Sequence, residues 1–386
     1  MIYLDHNATT PLDPRVLEAM LPWLGERYGN PSSPHRLGHE ARSAVEAARG
    51  RIADAVGCRP SELVFCSSGT ESDNLALRGT VRALGSRGSH VVTTAVEHHA
   101  VLHTAKALEQ EGIRVTFVPP RPDGTVDVAA LEASLCAETV LVSVMHANNE
   151  TGVVQPVEEI GAILRARGIV FHVDAVQTAG KHPTHPGEIG AGLVTFSAHK
   201  LYGPKGVGAL LVRAGTPLHA VTTGGGHEHG LRAGTENVPG FVGFAEAVVR
   251  SYEALEQEGA RLRVLRDRLE EQVLAAMPES RVNGAGAARM PNTSSLSFRG
   301  VDGESVVLGL DLRGICASTG SACSTGEPEP SHVLRAMGLS ARQAQGTVRL
   351  SLGHATREED IDATVTAVVE TVRHLRRITS DRDDAA

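Results

Sequence analysis

Among the 37 basic side chains of this 386-residue sequence only four are lysines, Lys106, Lys181, Lys200 and Lys205. A reaction that needs a lysine amine to form a Schiff base therefore has few candidates. Lys106 falls inside a helical pattern and reads as a solvated surface residue. Lys181 falls in a polar loop containing His and Pro. Lys200 follows the strand-like Val194-Thr195-Phe196-Ser197 through Ala198-His199, and the ends of strands in an open α/β sheet are where ligands bind. Lys205 lies close by, so the local pattern leaves two choices, and an ordinary loop lysine would look the same.

The neighbours sharpen the choice. Asp174 closes the apolar run Ile169-Val170-Phe171-His172-Val173 and also sits at a strand end. An amine at one strand end and a carboxylate at another are what pyridoxal phosphate (PLP) requires: a partner for its aldehyde, and an anion that keeps its ring nitrogen protonated so that the ring acts as an electron sink. Gln177 reaches the ring hydroxyl if the chain turns helically after Asp174. Ser68-Gly69-Thr70-Glu71 follows a strand and opens a helix, which offers backbone N–H groups and a positive helix end to a phosphate. A plain turn and helix cap would give the same pattern there. Ser197 and His199 add donors beside Lys200, and His98, just beyond the strand His90–Thr94, is placed to reach the cofactor face. The 18 histidines form loose groups, such as His98-His99 with His103 and His182-x-x-His185. None carries a helix-borne H-E-x-x-H motif or nearby cysteine ligands, so no metal site is expected.

The elements that must hold these residues follow from periodicity. Helical patterns at His39–Val56, Glu71–Leu84, Val101–Gln110 and Val157–Arg167 alternate with apolar runs at Leu63–Cys66, His90–Thr94, Arg114–Val118, Thr139–Met145, Ile169–Val173, Leu193–Phe196 and Val207–Val212. That alternation predicts an α/β fold with a mostly parallel sheet covered on both faces. A long charged helix is expected from Val242 to Met277, kinked at Gly259. Short strands at Ser294–Phe298 and Thr347–Leu352 and a final helix at Glu359–Leu375 then suggest a smaller α+β unit, with a frayed polar end from Thr379. The expected division is a large PLP-binding domain over 15–255 and a small domain over 256–386 that includes 1–14.

Composition narrows the function class. The net charge of −8 does not suggest a nucleic-acid partner. The amino terminus does not read as a secretory signal and no apolar stretch reads as a membrane span, so the expected location is cytoplasmic. Cys58, Cys66, Cys136, Cys316 and Cys323 are odd in number and form no C-x-x-C pair. They argue against a disulfide framework and for a single reactive thiol among inert ones.

Read together, the motifs Gly69-Thr70-Glu71-Ser72-Asp73-Asn74, His146-Ala147-Asn148-Asn149-Glu150-Thr151-Gly152, His172-Val173-Asp174-Ala175-x-Gln177, Ser197-Ala198-His199-Lys200 and Gly320-Ser321-Ala322-Cys323 closely resemble the NifS/IscS-type cysteine desulfurases of the class V aminotransferase group. The likeness runs from Tyr3-Leu4-Asp5 to Arg349-Leu350-Ser351-Leu352-Gly353. It implies the type I fold of PLP-dependent transferases and conversion of L-cysteine to L-alanine. At the matching positions Lys200 would bond PLP and later move the Cα proton. Asp174 would pair with the ring nitrogen, and His98 would stack on the ring and act in proton transfer. Asn149 and Gln177 would contact the ring hydroxyl side. Thr70, Ser197 and His199, with the backbone of Gly69, would hold the phosphate. Thr235 would reach the phosphate of a neighbouring subunit, which implies a homodimer. Arg349 would grip the substrate carboxylate with its forked donors.

Cys323 would be the nucleophile, carry the sulfur as a persulfide and pass it to a protein acceptor in iron–sulfur cluster, thio-cofactor or tRNA pathways. The small residues and two glycines around it permit a mobile loop, whereas Cys58, Cys136 and Cys316 fit inert packing better. His6, Asn7 and Cys66 stand where many relatives of this family have other residues, and Cys66 is expected to pack passively. Selenocysteine lyase or another class V PLP activity remains the alternative, because fold does not settle chemistry.

Overall fold

The computed structural model describes residues 1–320 and 330–383. In chain order its strands are β1 (Ile2–Tyr3), β2 (Leu63–Cys66), β3 (His90–Thr94), β4 (Arg114–Val118), β5 (Thr139–Met145) and β6 (Val170–Asp174). They continue with β7 (Leu193–Ser197), β8 (Gly208–Val212), β9 (Arg281–Val282), β10 (Thr293–Ser297), β11 (Ile315–Cys316) and β12 (Thr347–Ser351). Seven of them form one sheet in the order β2-β8-β7-β6-β5-β3-β4. Only β8 runs against its neighbours. Every residue of β5 and β7 is buried, as expected for central strands covered on both faces.

Because β2, β3, β5, β6 and β7 point the same way, their carboxyl ends share one edge of the sheet. Residues that follow those ends converge there, as in other open α/β sheets. Two residues separate β2 from helix Gly69–Leu84, which is capped by Ser68, whose Oγ accepts from Glu71 N at 3.1 Å.

A core of Val16, Ile52, Phe65, Val144, Phe171, Phe196 and Phe244 fills the space around this sheet. A separate core joins Leu4 to Leu265, Leu269, Leu296, Leu310, Leu350 and Val368. It packs against the antiparallel sheet β12-β10-β9. β1 pairs with β11, and an isolated bridge joins Asp5 to Ser351, so the amino terminus crosses from the second core to the edge of the large sheet.

Two expectations are corrected. The charged segment after Val238 is two helices, Val238–Glu253 and Leu255–Ala276. They break at Ala254 (φ −91°, ψ −3°) and not at Gly259, where an added Cβ would touch only Pro291 Cγ at 4.0 Å. That glycine marks spare room, not a bend. The final helix runs over Glu358–Asp383, past the point where fraying was expected, and its first turn carries Glu358, Glu359 and Asp360, which suit a helix amino terminus.

One buried ion pair pins a surface segment to the large sheet. Arg49 and Glu228 are 4% and 3% exposed and meet through paired contacts of 2.8 Å. Arg49 also donates to Leu63 O at 2.7 Å, and Phe65 N donates to Glu228 Oε2 at 2.7 Å. Removing one partner leaves the other charge buried alone. Glu228→Ala is therefore expected to lower stability by about 3–5 kcal/mol. Urea unfolding checks this, and a loss below about 1 kcal/mol, the worth of an exposed pair, would contradict it.

Candidate active site

At the shared strand edge lies a cavity of about 280 Å³. The expected residues that line it are Gly69, Thr70, His98, Asn149, Asp174, Gln177, Ser197, His199, Lys200 and Arg349. Each sits where its strand delivers it: Asp174 and Ser197 are the last residues of β6 and β7, and Lys200 closes a 3-10 turn, Ala198–Lys200, directly after β7. Lys205 is exposed and does not line the cavity, which separates the two lysines that local sequence left equal. Thr235 is exposed and stands outside this cavity. Cys323 lies outside the described residues. Cys58 and Cys66 have thiols pushed up to about 12 by burial, so neither supplies a thiolate near neutrality.

The amino-terminal segment holds the lysine turn. Lys200 Nζ donates to Asn7 O at 2.5 Å and Ala8 O at 2.6 Å. Thr10 N donates to His199 O at 3.0 Å, Thr10 Oγ1 donates to the same carbonyl at 2.9 Å, and Thr10 Oγ1 accepts from Tyr202 N at 2.7 Å. Asn7 is the wider hub. Its backbone carbonyl also accepts from Gln177 Nε2 at 3.1 Å. Its side chain donates to Asn149 O and Thr293 Oγ1 and accepts from Asn292 Nδ2, at 2.9–3.1 Å.

Burial sets the protonation states. The Asp174 carboxyl is raised to about 6 by burial, opposed by a 2.9 Å bond from Val176 N and by Lys200. Asp73, behind it on helix Gly69–Leu84, is raised by burial and then by Asp174. Glu97 is raised to about 8, first by burial, although Thr94 Oγ1 (2.7 Å) and Met145 N (2.9 Å) both donate to its Oε1. His172 lies between these groups, 3.5 Å from Asp73 Oδ1, with its ring bonded to Ser143 Oγ at 2.8 Å and Thr195 Oγ1 at 3.0 Å. Burial lowers it to about 3, so it is neutral and forms no ion pair. Neither Asp73 nor Glu97 was singled out from sequence. Asp73 lay inside a recognised motif, but only tertiary burial reveals the cluster.

His98 is the amino-terminal cap of helix His99–Gln110, and its Nδ1 accepts from Ala100 N at 3.1 Å. Burial and the charge of Lys200 lower the ring to about 4. The neutral imidazole therefore carries its proton on Nε2. Arg349 on β12 donates to Asp5 Oδ1 at 2.7 Å and Asn149 O at 3.1 Å, while its buried Nε has no partner. A guanidinium fixed on one side with a donor left over suits a carboxylate ligand.

These features fit PLP. Backbone donors stand at the start of helix Gly69–Leu84, whose first N–H groups have no intrahelical acceptor. A Cβ at Gly69 would lie 2.8 Å from Val176 Cγ2, so the helix start can approach this closely only as glycine. Asp174 is a buried carboxyl short of donors and Lys200 a nearby amine. Together they form the donor, anion and amine set that this cofactor requires.

Known proteins resemble this chain in sequence and in fold. The Aminotransferase class-V family matches residues 2–364. The cysteine desulfurase IscS of Dictyoglomus turgidum is 45% identical over 377 residues, covering 98% of this chain and 96% of that protein. A solved NifS-like protein superposes with a TM-score of 0.91 at 39% identity, covering 97% of this chain and 100% of the other. The structure of SspA in complex with cysteine gives a TM-score of 0.81 at 35% identity, covering 91% and 99%.

The buried carboxyls generate a pH prediction. Glu97 has a folded value of about 8 against an ordinary 4.5. The proton it keeps favours the folded state fully below the ordinary value, and that contribution is lost as pH rises through about 8. Glu97→Gln cannot titrate, so its unfolding free energy should fall less with rising pH than that of the parent. The gap should reach a few kcal/mol at the alkaline end. Parallel stability curves in urea would mean that Glu97 is already ionised in the folded protein.

Proposed function

This chain belongs to the class-V aminotransferase family, and from that premise we propose its reaction: it is a PLP-dependent cysteine desulfurase, which removes sulfur from L-cysteine and leaves L-alanine. The observation that carries this reading is the convergence of Lys200, Asp174, His98 and Arg349 on one cavity.

PLP, when bound, supplies the electron sink that acidifies the substrate Cα and weakens its Cβ–S bond. The residues do the rest. Arg349, held by Asp5 and the Asn149 carbonyl, presents its remaining donors to the substrate carboxylate. Lys200 would hold the cofactor through its amine and would take the proton from the substrate Cα as a general base. Asp174 would hold a proton at the ring nitrogen, and after burial it is Asp174 that raises Asp73 behind it, so Asp73 adds no second buried anion. His98 offers its Nε2 proton at the ring face. Gly69, Thr70, Ser197 and His199 hold the phosphate, while Asn149 and Gln177 order the ring hydroxyl side. Cys323 attacks the substrate sulfur as a thiolate. A new S–S bond forms as the Cβ–S bond breaks. The electron pair stays with the carbon, which gains a proton and becomes the alanine methyl group.

The finer parts of the proposal are these. The enzyme works as a homodimer, with Thr235 reaching its neighbour's phosphate site; its exposure in this chain supports that role. It acts in the cytoplasm; among the described residues no helix is long and apolar enough to cross a membrane. The persulfide on Cys323 passes to a protein acceptor for iron–sulfur clusters, thio-cofactors or tRNA. The division into 15–255 and 256–386 with 1–14 belongs to the same proposal, supported by the two separate cores.

Lys200→Ala should lower alanine formation from L-cysteine by roughly 10²–10⁴-fold or more, the span associated with loss of a placed acid–base group. Turnover near the parent level would refute its role. Cys323→Ala should still bind PLP but release no sulfur. Mass spectrometry of the parent after turnover should place the extra sulfur on Cys323, and finding it on Cys316 would overturn that assignment.

A further inference from the structure

Glu150 has no part in the reaction just described, yet its carboxyl lies against the described chain on both sides of residues 321–329. On one side, Gly320 lines the larger cavity. It takes φ 86°, and a Cβ there would lie 3.3 Å from Glu150 Oε2 and 3.5 Å from Glu150 Cβ and Cγ. On the other side, Ser331 Oγ donates to Glu150 Oε2. The same hydroxyl caps helix His332–Ala336 by accepting from Leu334 N at 3.1 Å. Glu150 and Ser331 are 5% and 3% exposed, so their contact is shielded from water.

The backbone that presents this carboxyl is itself fixed. Asn148 Oδ1 accepts from Glu150 N and Thr151 N, both at 2.9 Å, and Asn148 Nδ2 donates to Val96 O at 2.9 Å. The preceding residue, Asn149, gives its carbonyl to Arg349 Nη1 at 3.1 Å. The stem leading to Gly320 is tied to the same arginine. Arg349 N donates to Ser318 O at 2.6 Å, Ser318 N donates to Arg349 O at 3.2 Å, and Gly320 N donates to Ser318 Oγ at 3.1 Å. Burial raises the Glu150 carboxyl above its ordinary range, opposed by the Ser331 bond and by the charges of Arg349 and His99. The neutral acid is thereby favoured over the carboxylate.

We infer that Glu150 is a positioning residue for Cys323: it packs against Gly320 at the cavity and bonds Ser331 behind it, and so sets where the chain that carries the thiol begins and ends relative to the substrate gripped by Arg349. This rests on the reading of Cys323 as the nucleophile and of Arg349 as the carboxylate grip. Cys323 comes three residues after Gly320, and three residues of chain span at most about 11 Å. Holding Gly320 therefore limits the search that the sulfur must make. Correct placement of an attacking atom is worth orders of magnitude in rate. A buried hydrogen bond between two fixed side chains suits that task, because breaking it leaves a polar group without a partner. Glu150 acts through Gly320 and Ser331 and touches no reacting atom in this scheme.

The test separates the step that needs Cys323 from those that do not. The PLP-loaded protein is given L-cysteine, and alanine formation is measured. In a second assay it is given L-alanine in deuterium oxide, and NMR follows exchange of the Cα proton, which needs no thiol. Glu150→Ala should lower kcat for alanine formation by about 10–100-fold, the scale of a misplacement of about 1 Å, and leave KM and the L-alanine exchange rate within about twofold of the parent. Glu150→Gln keeps an acceptor of the same length for Ser331 without a charge, and should recover most of the lost kcat. If the alanine variant does not fold, Ser331→Ala removes the same hydrogen bond and should show the same split. An unchanged kcat in Glu150→Ala, an equal fall in kcat and in exchange, or a glutamine variant as slow as the alanine one would overturn the inference while leaving the site reading intact. A parent protein that turns over L-cysteine with its extra sulfur on a cysteine other than Cys323 would sink both.

Discussion

Asn7 is the junction on which the site depends. Its backbone carbonyl takes bonds from Lys200 and Gln177, and its side chain ties Asn149, Asn292 and Thr293 together. Asn149 in turn offers its carbonyl to Arg349. One buried amide thus links the lysine turn beside the large sheet to β10 and β12 of the small one. Buried polar groups are costly when unpaired and specific when paired. The distance between the amine at Lys200 and the guanidinium at Arg349 is therefore held by a satisfied polar network rather than by apolar contact alone.

The second constraint is the low dielectric at the strand ends. It neutralises His98 and His172 and raises Asp73, Glu97 and Asp174. The outcome is a floor in which histidines and carboxyls avoid full charge until a ligand supplies a partner. Asp174 is poised for one, because its carboxyl is shifted less than a carboxyl with no compensation would be: Val176 N and Lys200 offset part of its burial. The same physics acts on Lys181, with opposite sign because its charged form is the cation.

Much of this was legible in the sequence, and the exceptions have physical causes. β3, β4 and β5 match the apolar runs residue for residue, because β-branched segments bounded by turn residues allow little slippage. Asp174 and Lys200 stood out because each directly follows such a run. The Ala254 break was hidden because alanine carries no turn signal, while Gly259 carries one that the surrounding helix overrides. Asn7 was noted only as unusual in type. Its importance arises from partners far away along the chain, up to 286 residues for Thr293, and no local pattern encodes them. Asp73 and Glu97 were passed over for the same reason, and Lys181 read only as a polar-loop residue, since burial is a tertiary property.

The choice between Lys200 and Lys205 shows how the levels connect. Both lysines follow β7, and their side chains have the same intrinsic chemistry. What separates them is backbone: the 3-10 turn ends at Lys200, and Thr10 fastens that turn by bonding His199 O and Tyr202 N. Tyr202 then takes a left-handed conformation, φ 61°, which turns the chain away so that Lys205 emerges at the surface. A non-glycine residue pays for that conformation only where its surroundings hold it. Here the hold comes from the Thr10 bond, from stacking of Tyr202 on His354 at 3.9 Å, and from the bond of His354 N to Tyr202 Oη at 2.9 Å. The strap that aims Lys200 into one cavity also builds, with Tyr202 and His354, the wall of a second, smaller cavity that Lys181 lines. Selecting one lysine for chemistry and placing a second behind it are thus consequences of the same turn.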